Sequence, residues 1–317
     1  MSAVEHLQEL HGLPAFDFPS GDLSALPAPE SVAWRISVDP YGDDDRPFGE
    51  AWESFTGAVD LSRVRALIIG QWGEAYDNDS RLVVDLLVAA ADRLTALEAV
   101  FLADITPEEQ EISWIEQSDV TPVLAAYPGL VELGVRGGTG LRFPAVRHTR
   151  LRKLTFEAGG LPGEVVRGVG ACELPALESL EMWLGVSEYG GDATVADLAP
   201  LLASGRFPAL RHLGLRNSEI QDEIAAAVAG APVVAQLESL DLSMGVLTDA
   251  GAEALLGGQP LTHLRRLDLH HNYFSDEMSA RLSDALEGAG VELDVSERGD
   301  EWQDGDGDVQ RYTAVAE

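Results

Sequence analysis

The sequence predicts an α/β solenoid, with a curved parallel sheet on its concave face and helices on its convex face. Three observations point there. A pattern of apolar, two residues, apolar, one residue, apolar recurs along the chain, clearest at Val64-Leu67-Ile69, Leu97-Val100-Leu102, Leu130-Leu133-Val135, Leu151-Leu154-Phe156, Leu177-Leu180-Met182, Leu210-Leu213-Leu215, Leu237-Leu240-Leu242 and Leu264-Leu267-Leu269. Successive copies start 33, 33, 21, 26, 33, 27 and 27 residues apart. Several are followed by apolar residues at helical spacing, set between a capping residue and a glycine stop. Repetition at such a period marks stacked supersecondary units, each burying its apolar face against its neighbours.

Each unit is read as a short strand, a turn, a helix and a return loop. Trp34-Ile36-Val38 is a candidate opening copy and Val291-Leu293-Val295 a degenerate closing one. A helix is expected from Ile220 to Ala229. In Leu247–Leu256 one is expected after a Thr248 or Asp249 cap, ended by Gly257-Gly258, and in Phe274–Leu286 one closed by Gly288. Two stretches fall outside the repeat. Residues 1–30 carry Leu7, Leu10, Leu13, Phe16 and Phe18 before Pro27 and Pro29, which suits a cap over the first unit. Residues 297–317 are polar, glycine-rich and acidic, and are expected to be a mobile tail. The repeat domain is then 31–296.

The strand pattern and the turn that follows it resemble the ribonuclease-inhibitor-like class of leucine-rich repeats, L-x-x-L-x-L-x-x-N-x-L-x-x-x-G-x-x-x-L. The match is best at Leu264, Leu267, Leu269, Asn272 and Phe274, and at Leu237, Leu240, Leu242, Leu247, Gly251 and Leu255. Only Asn272 stands at the asparagine position; Gly245, Ser218, Gly185 and Gly138 stand there in other copies. The side-chain ladder of that class is therefore expected to be mostly missing, with irregular curvature as the result. The opening His6-Leu-Gln-Glu-Leu-His-Gly-Leu-Pro-Ala-Phe-Asp-Phe18 is similar to a bacterial family of cytoplasmic leucine-rich-repeat proteins. That resemblance implies a place beside radical-SAM and ATP-grasp-like enzymes and an accessory or substrate-holding role. It supplies no site residues.

Charge narrows the partners. The 54 acidic and 21 basic residues leave a net charge of −33, and Lys153 is the single lysine. A surface this acidic repels nucleic acid and anionic lipid, whose binding needs a basic face, so a protein partner is expected and neither nucleic acid nor membrane. The lone Cys172 cannot form a disulfide within the chain and reads as a small buried residue. No apolar run reaches the ~20 residues of a membrane span, and the start of the chain, with Glu5 and Glu9, lacks the pattern of a signal peptide. These features fit a cytoplasmic protein better than the extracellular leucine-rich-repeat proteins with disulfide-bonded caps.

Side chains alternate along a strand, so the residues between the apolar positions face the concave surface. The early units place Ile68 and Phe101 there, either an apolar surface or core beneath the N-terminal segment or the Asp39–Phe55 loop. The later units place Glu181, Asp241, Asp268 and Asp294 in one column with Trp183, Arg216 and His270 in the next. An exposed aromatic beside arginine and ordered acids has the composition of a binding hot spot, and Trp183, Arg216, Asp241, Asp268 and His270 are the expected contact residues. The alternative is a solvated face that needs polar residues regardless.

Motifs with catalytic or metal chemistry are weaker. Asp268 and His270 share a strand face, but two ligands are too few for a metal centre. Asp304-Gly-Asp-Gly-Asp308 begins like a calcium loop, yet Val309 and Val315 stand where the glycine and final glutamate belong. Asp43-Asp44-Asp45 reads as a solvated loop, and Gly134, Gly137, Gly138 and Gly140 lack the lysine of a phosphate loop. Asp241 and Asp268, on adjacent strands ~4.8 Å apart, are the one pair for a hydrolase. No catalytic residue, cofactor or metal ligand is assigned, and a non-enzymatic protein-binding scaffold is the expected function.

Overall fold

The computed structural model describes residues 4–19, 21–42, 46–203, 205–303 and 309–317. Among these the chain lays down twelve strands in sequential order in one sheet: β1 (Glu9–Leu10), β2 (Leu13–Asp17), β3 (Ala33–Ile36), β4 (Ala66–Ile69), β5 (Ala99–Leu102), β6 (Glu132–Arg136), β7 (Lys153–Glu157), β8 (Ser179–Gly185), β9 (His212–Ser218), β10 (Ser239–Asp241), β11 (Arg266–Asp268) and β12 (Glu292–Asp294). Within this sheet every pairing from β2 onward is parallel. Parallel neighbours need crossovers, and these carry α1 (Phe48–Ala58), α2 (Arg81–Ala89), α3 (Thr121–Ala126), α4 (Gly163–Ala171), α5 (Val195–Leu202), α6 (Gln221–Ala229), α7 (Asp249–Gly257) and α8 (Asp276–Leu286).

The register follows the repeat. Leu67, Val100, Leu133, Leu154, Leu180, Leu213, Leu240 and Leu267 form one in-register row, continued by Leu293 at one end and by Trp34 and Phe16 at the other. From Trp34 to Leu267 these side chains are buried against the helix layer in one continuous core. The shortest unit, starting at Leu130, departs from the expected pattern: no helix lies between β6 and β7, because its 21 residues are taken up by an extended return held by the Asp119–Arg142 bridge.

Close backbone approach replaces most of the missing asparagine ladder. A Cβ on Gly138 would lie 2.1 Å from the Gly160 carbonyl oxygen, and one on Gly185 would lie 2.0 Å from that of Gly159. Asn272 still donates to Leu269 O and Val295 O, and Gln221 reaches back to Leu215 O in its unit. Aspartates also link successive helix starts. Asp222 accepts from the Thr248 N–H, the Thr248 hydroxyl and the Gly251 N–H at the head of α7, and Asp249 accepts from Ser275 N–H ahead of α8. Carboxylates there meet unpaired N–H groups and the positive end of the helix dipole. Thr248 is the α7 cap and Ser275 the α8 cap. The chain leaves α8 through left-handed Gly290, not Gly288.

The termini are built into the repeat. β1 folds back antiparallel on β2, and Leu10 packs with Ala33, Ala66, Ile68, Ala99 and Phe101 into a second small core on the concave face. At the other end, where a mobile tail was expected, Tyr312–Glu317 runs backward across the turns that follow the strands. Tyr312 O accepts from Tyr273 Oη, Ala314 N donates to Met244 O, and Val315 is gripped by both ends of the Asn217 amide. Ser113 donates to Ala316 O, and Thr313 and Val315 are buried. Asn217, Met244 and His271 occupy equivalent turn positions in successive units, all with positive φ. The tail is fixed mostly through its backbone, which is why its composition gave no sign of order.

Candidate binding face

The concave sheet divides into a covered half and an open half. In the covered half Ala66, Ile68, Ala99 and Phe101 are buried beneath the N-terminal segment, so Ile68 and Phe101 are core. Polar clamps hold the segment down. Asp104, fully buried, accepts from Leu7 N–H at 3.1 Å and from Arg35 Nε at 2.8 Å. Arg35 also donates to Leu7 O, and Arg136 donates to Glu5 O while its guanidinium lies over the Phe101 ring. Gly134 makes room for that ring, since a Cβ there would be 2.2 Å from it.

The open half runs from β8 to β12, and here the five sequence-selected residues come together in two linked clusters. In the first, Arg216 Nη1 donates to Glu181 Oε1 at 2.8 Å, its Nε donates to Ser243 Oγ and lies 3.3 Å from Asp241 Oδ2, and its guanidinium covers the Trp183 ring. Trp183 Nε1 donates to Glu181. Gly214, between Glu181 and Asp241 in the column, leaves the space into which Glu181 and Arg216 converge. In the second, Asp268 accepts from His270 Nδ1 at 2.7 Å, from His270 N and from Arg266 Nη2 at 2.8 Å.

One expectation is corrected. Trp183 is only 5% exposed, so it is not an exposed aromatic anchor. Asp241 and Asp268 are also largely buried, while Arg216, His212, Arg266, His270 and Asp294 retain partial exposure and Glu292 is exposed. Alternation gives the direction of a side chain correctly, but strands ~4.8 Å apart crowd outward residues beneath their neighbours. His212 and Arg266 were not singled out in the sequence, although their column is set by the same register.

Burial and pairing set the protonation of the face. Burial raises Glu181, but His212 and Arg216 more than offset it and hold the carboxyl at about 2. Burial also opposes ionisation of Asp268, yet hydrogen bonds from His270 and Arg266 take it well below the ordinary range. The Asp268 hydrogen bond in turn raises His270. Asp241 moves up, because burial outweighs Arg216. Asp241 and Asp268 are register partners on adjacent strands whose charges interact, and each is also hydrogen-bonded or ion-paired to partners of its own.

Ligand atoms of Asp268, His270 and Asp294 lie within 4.8 Å of one another, the one such trio among the described residues. Arg266 already reaches two of its members, at 2.8 Å from Asp268 and 3.7 Å from Asp294. The acidic runs 43–45 and 304–308 lie outside the described residues. A hollow of about 750 Å³ lies at the far end of the sheet beside Phe18, Ile36, Asp39 and Glu109, and none of the five residues lines it.

Comparison with known proteins agrees with this architecture. A family profile described as Leucine Rich repeat matches residues 236–256, the unit containing β10 and α7. A Bacteroides fragilis protein of known crystal structure is 33% identical and superposes with a TM-score of 0.77, over 84% of this chain and 75% of that one. The chain is a leucine-rich-repeat protein. Leucine-rich-repeat character thus extends well beyond the matched unit, and the fold resembles that of a bacterial relative. No curated protein matches the sequence. No described helix of this leucine-rich-repeat chain is long and apolar enough to cross a membrane.

Proposed function

We propose that the chain is a non-enzymatic protein-binding scaffold whose partner docks on the concave face between β8 and β12, against the clusters around Arg216 and Asp268. One observation carries this reading. Among the described residues the chain's own N-terminal segment covers the concave face of the early units, while that of the later units is left with partly exposed His212, Arg216, Arg266 and His270. The covered half shows how such a face takes a segment of chain: arginines on the sheet receive its carbonyl groups and a buried aspartate receives an N–H. The side chains of the open half are held in place by hydrogen bonds, so little ordering entropy opposes docking.

The test is site-specific crosslinking in the full-length protein. A photo-crosslinking amino acid in place of Ser239, on the open face, is expected to capture a protein partner that the same group in place of Glu223, on α6, does not. Capture only from position 223 would move the site to the helical side and overturn the reading.

A further inference from the structure

We infer that the occupant of the open concave face is an extended, arginine-bearing peptide segment, recognised through guanidinium–carboxylate contacts. This rests on the docking reading above and adds the chemistry of the partner. In the two clusters, Glu181 and Asp241 share Arg216, and Asp268, Glu292 and Asp294 share Arg266. Carboxylates therefore outnumber guanidinium groups in both places, and His212 beside Glu181 and His270 beside Asp268 each add a positive charge only when protonated. The excess sits on a concave wall of a chain with net charge −33, where the field of neighbouring acids adds rather than cancels.

The cation this face selects is visible in the chain's own contacts. Each acidic gap is bridged by an arginine in planar, multi-point contact: Arg216 spans β8 to β10 while lying on Trp183, and Arg266 spans β11 to β12. In the covered half Arg35 and Arg136 converge on Asp104 in the same way. A planar fork satisfies two carboxylates from neighbouring strands at once, which a point-like ammonium does not. The trio of Asp268, His270 and Asp294 thus already acts as a guanidinium seat through Arg266.

Spacing fixes the arrangement of the ligand. The first cluster centres on β9 and the second between β11 and β12, so their centres are roughly 12 Å apart at ~4.8 Å per strand. An extended peptide advances ~3.3 Å per residue, so arginines about four residues apart reach both clusters.

The experiment is fluorescence anisotropy on the full-length protein with three labelled alanine-based nonapeptides. Each carries two like residues four apart: arginine in the first, lysine in the second, glutamate in the third. The arginine peptide is expected to bind, the lysine peptide several-fold more weakly and the glutamate peptide not at all. Asp241→Asn with Asp268→Asn is expected to weaken the arginine peptide at least tenfold. Asp85→Asn with Glu223→Gln makes the same charge change on the helical side and should leave it within twofold. Glu292→Gln with Asp294→Asn, at the open edge of the sheet, repeats the test where folding is least at stake and should cost several-fold. Equal losses in all three double variants would reduce the effect to overall charge and overturn the proposal, as would equal binding of the arginine and lysine peptides. If the arginine peptide fails while position 239 still captures a partner, the chemistry is wrong and the face is right. If position 239 captures nothing, the docking reading falls.

Discussion

Gly159→Ala tests whether the C-terminal segment is truly docked. A Cβ at residue 159 would lie 1.9 Å from the Ala316 carbonyl oxygen and 2.2 Å from Ser113 Oγ, in a backbone conformation that alanine otherwise tolerates. Burial of Val315 contributes about 2 kcal/mol, and each hydrogen bond to Tyr273, His271, Met244, Asn217 and Ser113 about 1 kcal/mol. Fixing the backbone from Tyr312 to Glu317 costs at least about 1 kcal/mol per residue. The net is on the order of 2 kcal/mol, or roughly thirtyfold in favour of docking. A clash more than 1 Å inside ordinary contact removes that margin, whereas the repeats, which do not depend on the tail, keep theirs. Hydrogen exchange is the assay: the Val315 amide, bonded to Asn217 Oδ1, should be protected about thirtyfold in the parent and hardly at all in Gly159→Ala. The thermal midpoint should move little, and carboxypeptidase should trim the variant faster. Undiminished protection at Val315 would refute the close approach.

Other perturbations separate stability from binding. Trp183→Ala should cost about 3–5 kcal/mol, seen as a lowered unfolding midpoint, because the ring is buried under Arg216; a loss of binding with unchanged stability would restore it as an exposed anchor. NMR titration should place His270 above its ordinary 6.5, and Asp268→Asn should bring it down. Since His270 is raised in the folded protein, its contribution to stability is complete below its unfolded value and fades as pH rises through the folded one. Asp268 is depressed, so its contribution holds above the usual carboxylate value and is lost as pH falls toward its folded one. Leu10→Asp should open the second core around Ile68 and Phe101 and raise binding of an apolar dye; unchanged dye binding would show that the segment is held by its polar clamps alone.

The strands from β4 to β11 were legible because the period-two pattern and the period of the repeat agree on every face. The in-register row from Leu67 to Leu267 is that agreement made visible. β2 fell within the segment expected to be a cap, although Leu13-Phe16-Phe18 has the spacing of the repeat, and Phe16 extends the core row against Trp34. A signal did exist in the apolar outward residues Ala66, Ile68, Ala99 and Phe101, since a parallel sheet that is apolar on both faces is covered on both. The tail gave no such signal, because Asn217 and Met244 read its backbone. For the candidate site, column and neighbours were readable but exposure was not. Arg216 lies over Trp183, and a Cβ on Gly214 would press to 3.1 Å from Glu181 Cγ beside it.

The two termini complete a division of labour within one repeat array. Repeat stacks need their ends and apolar faces covered, and here the N-terminal segment covers the apolar part of the concave face while the C-terminal segment ties the turns of the unit at Tyr273 to those near Ser113. Both are held largely through backbone hydrogen bonds: Arg35, Arg136 and the Asn217 amide nitrogen donate to their carbonyl groups, and Asp104 and Asn217 Oδ1 accept from their N–H groups. The same scaffold thus recognises extended chain twice within itself, using side chains fixed on the sheet or in the turns after it. We propose that the open sheet carrying Arg216, Asp241, Asp268 and His270 extends that mode of recognition to a chain of opposite charge. That continuity, rather than the acidity alone, is what favours a peptide segment over a diffuse cationic surface as the occupant.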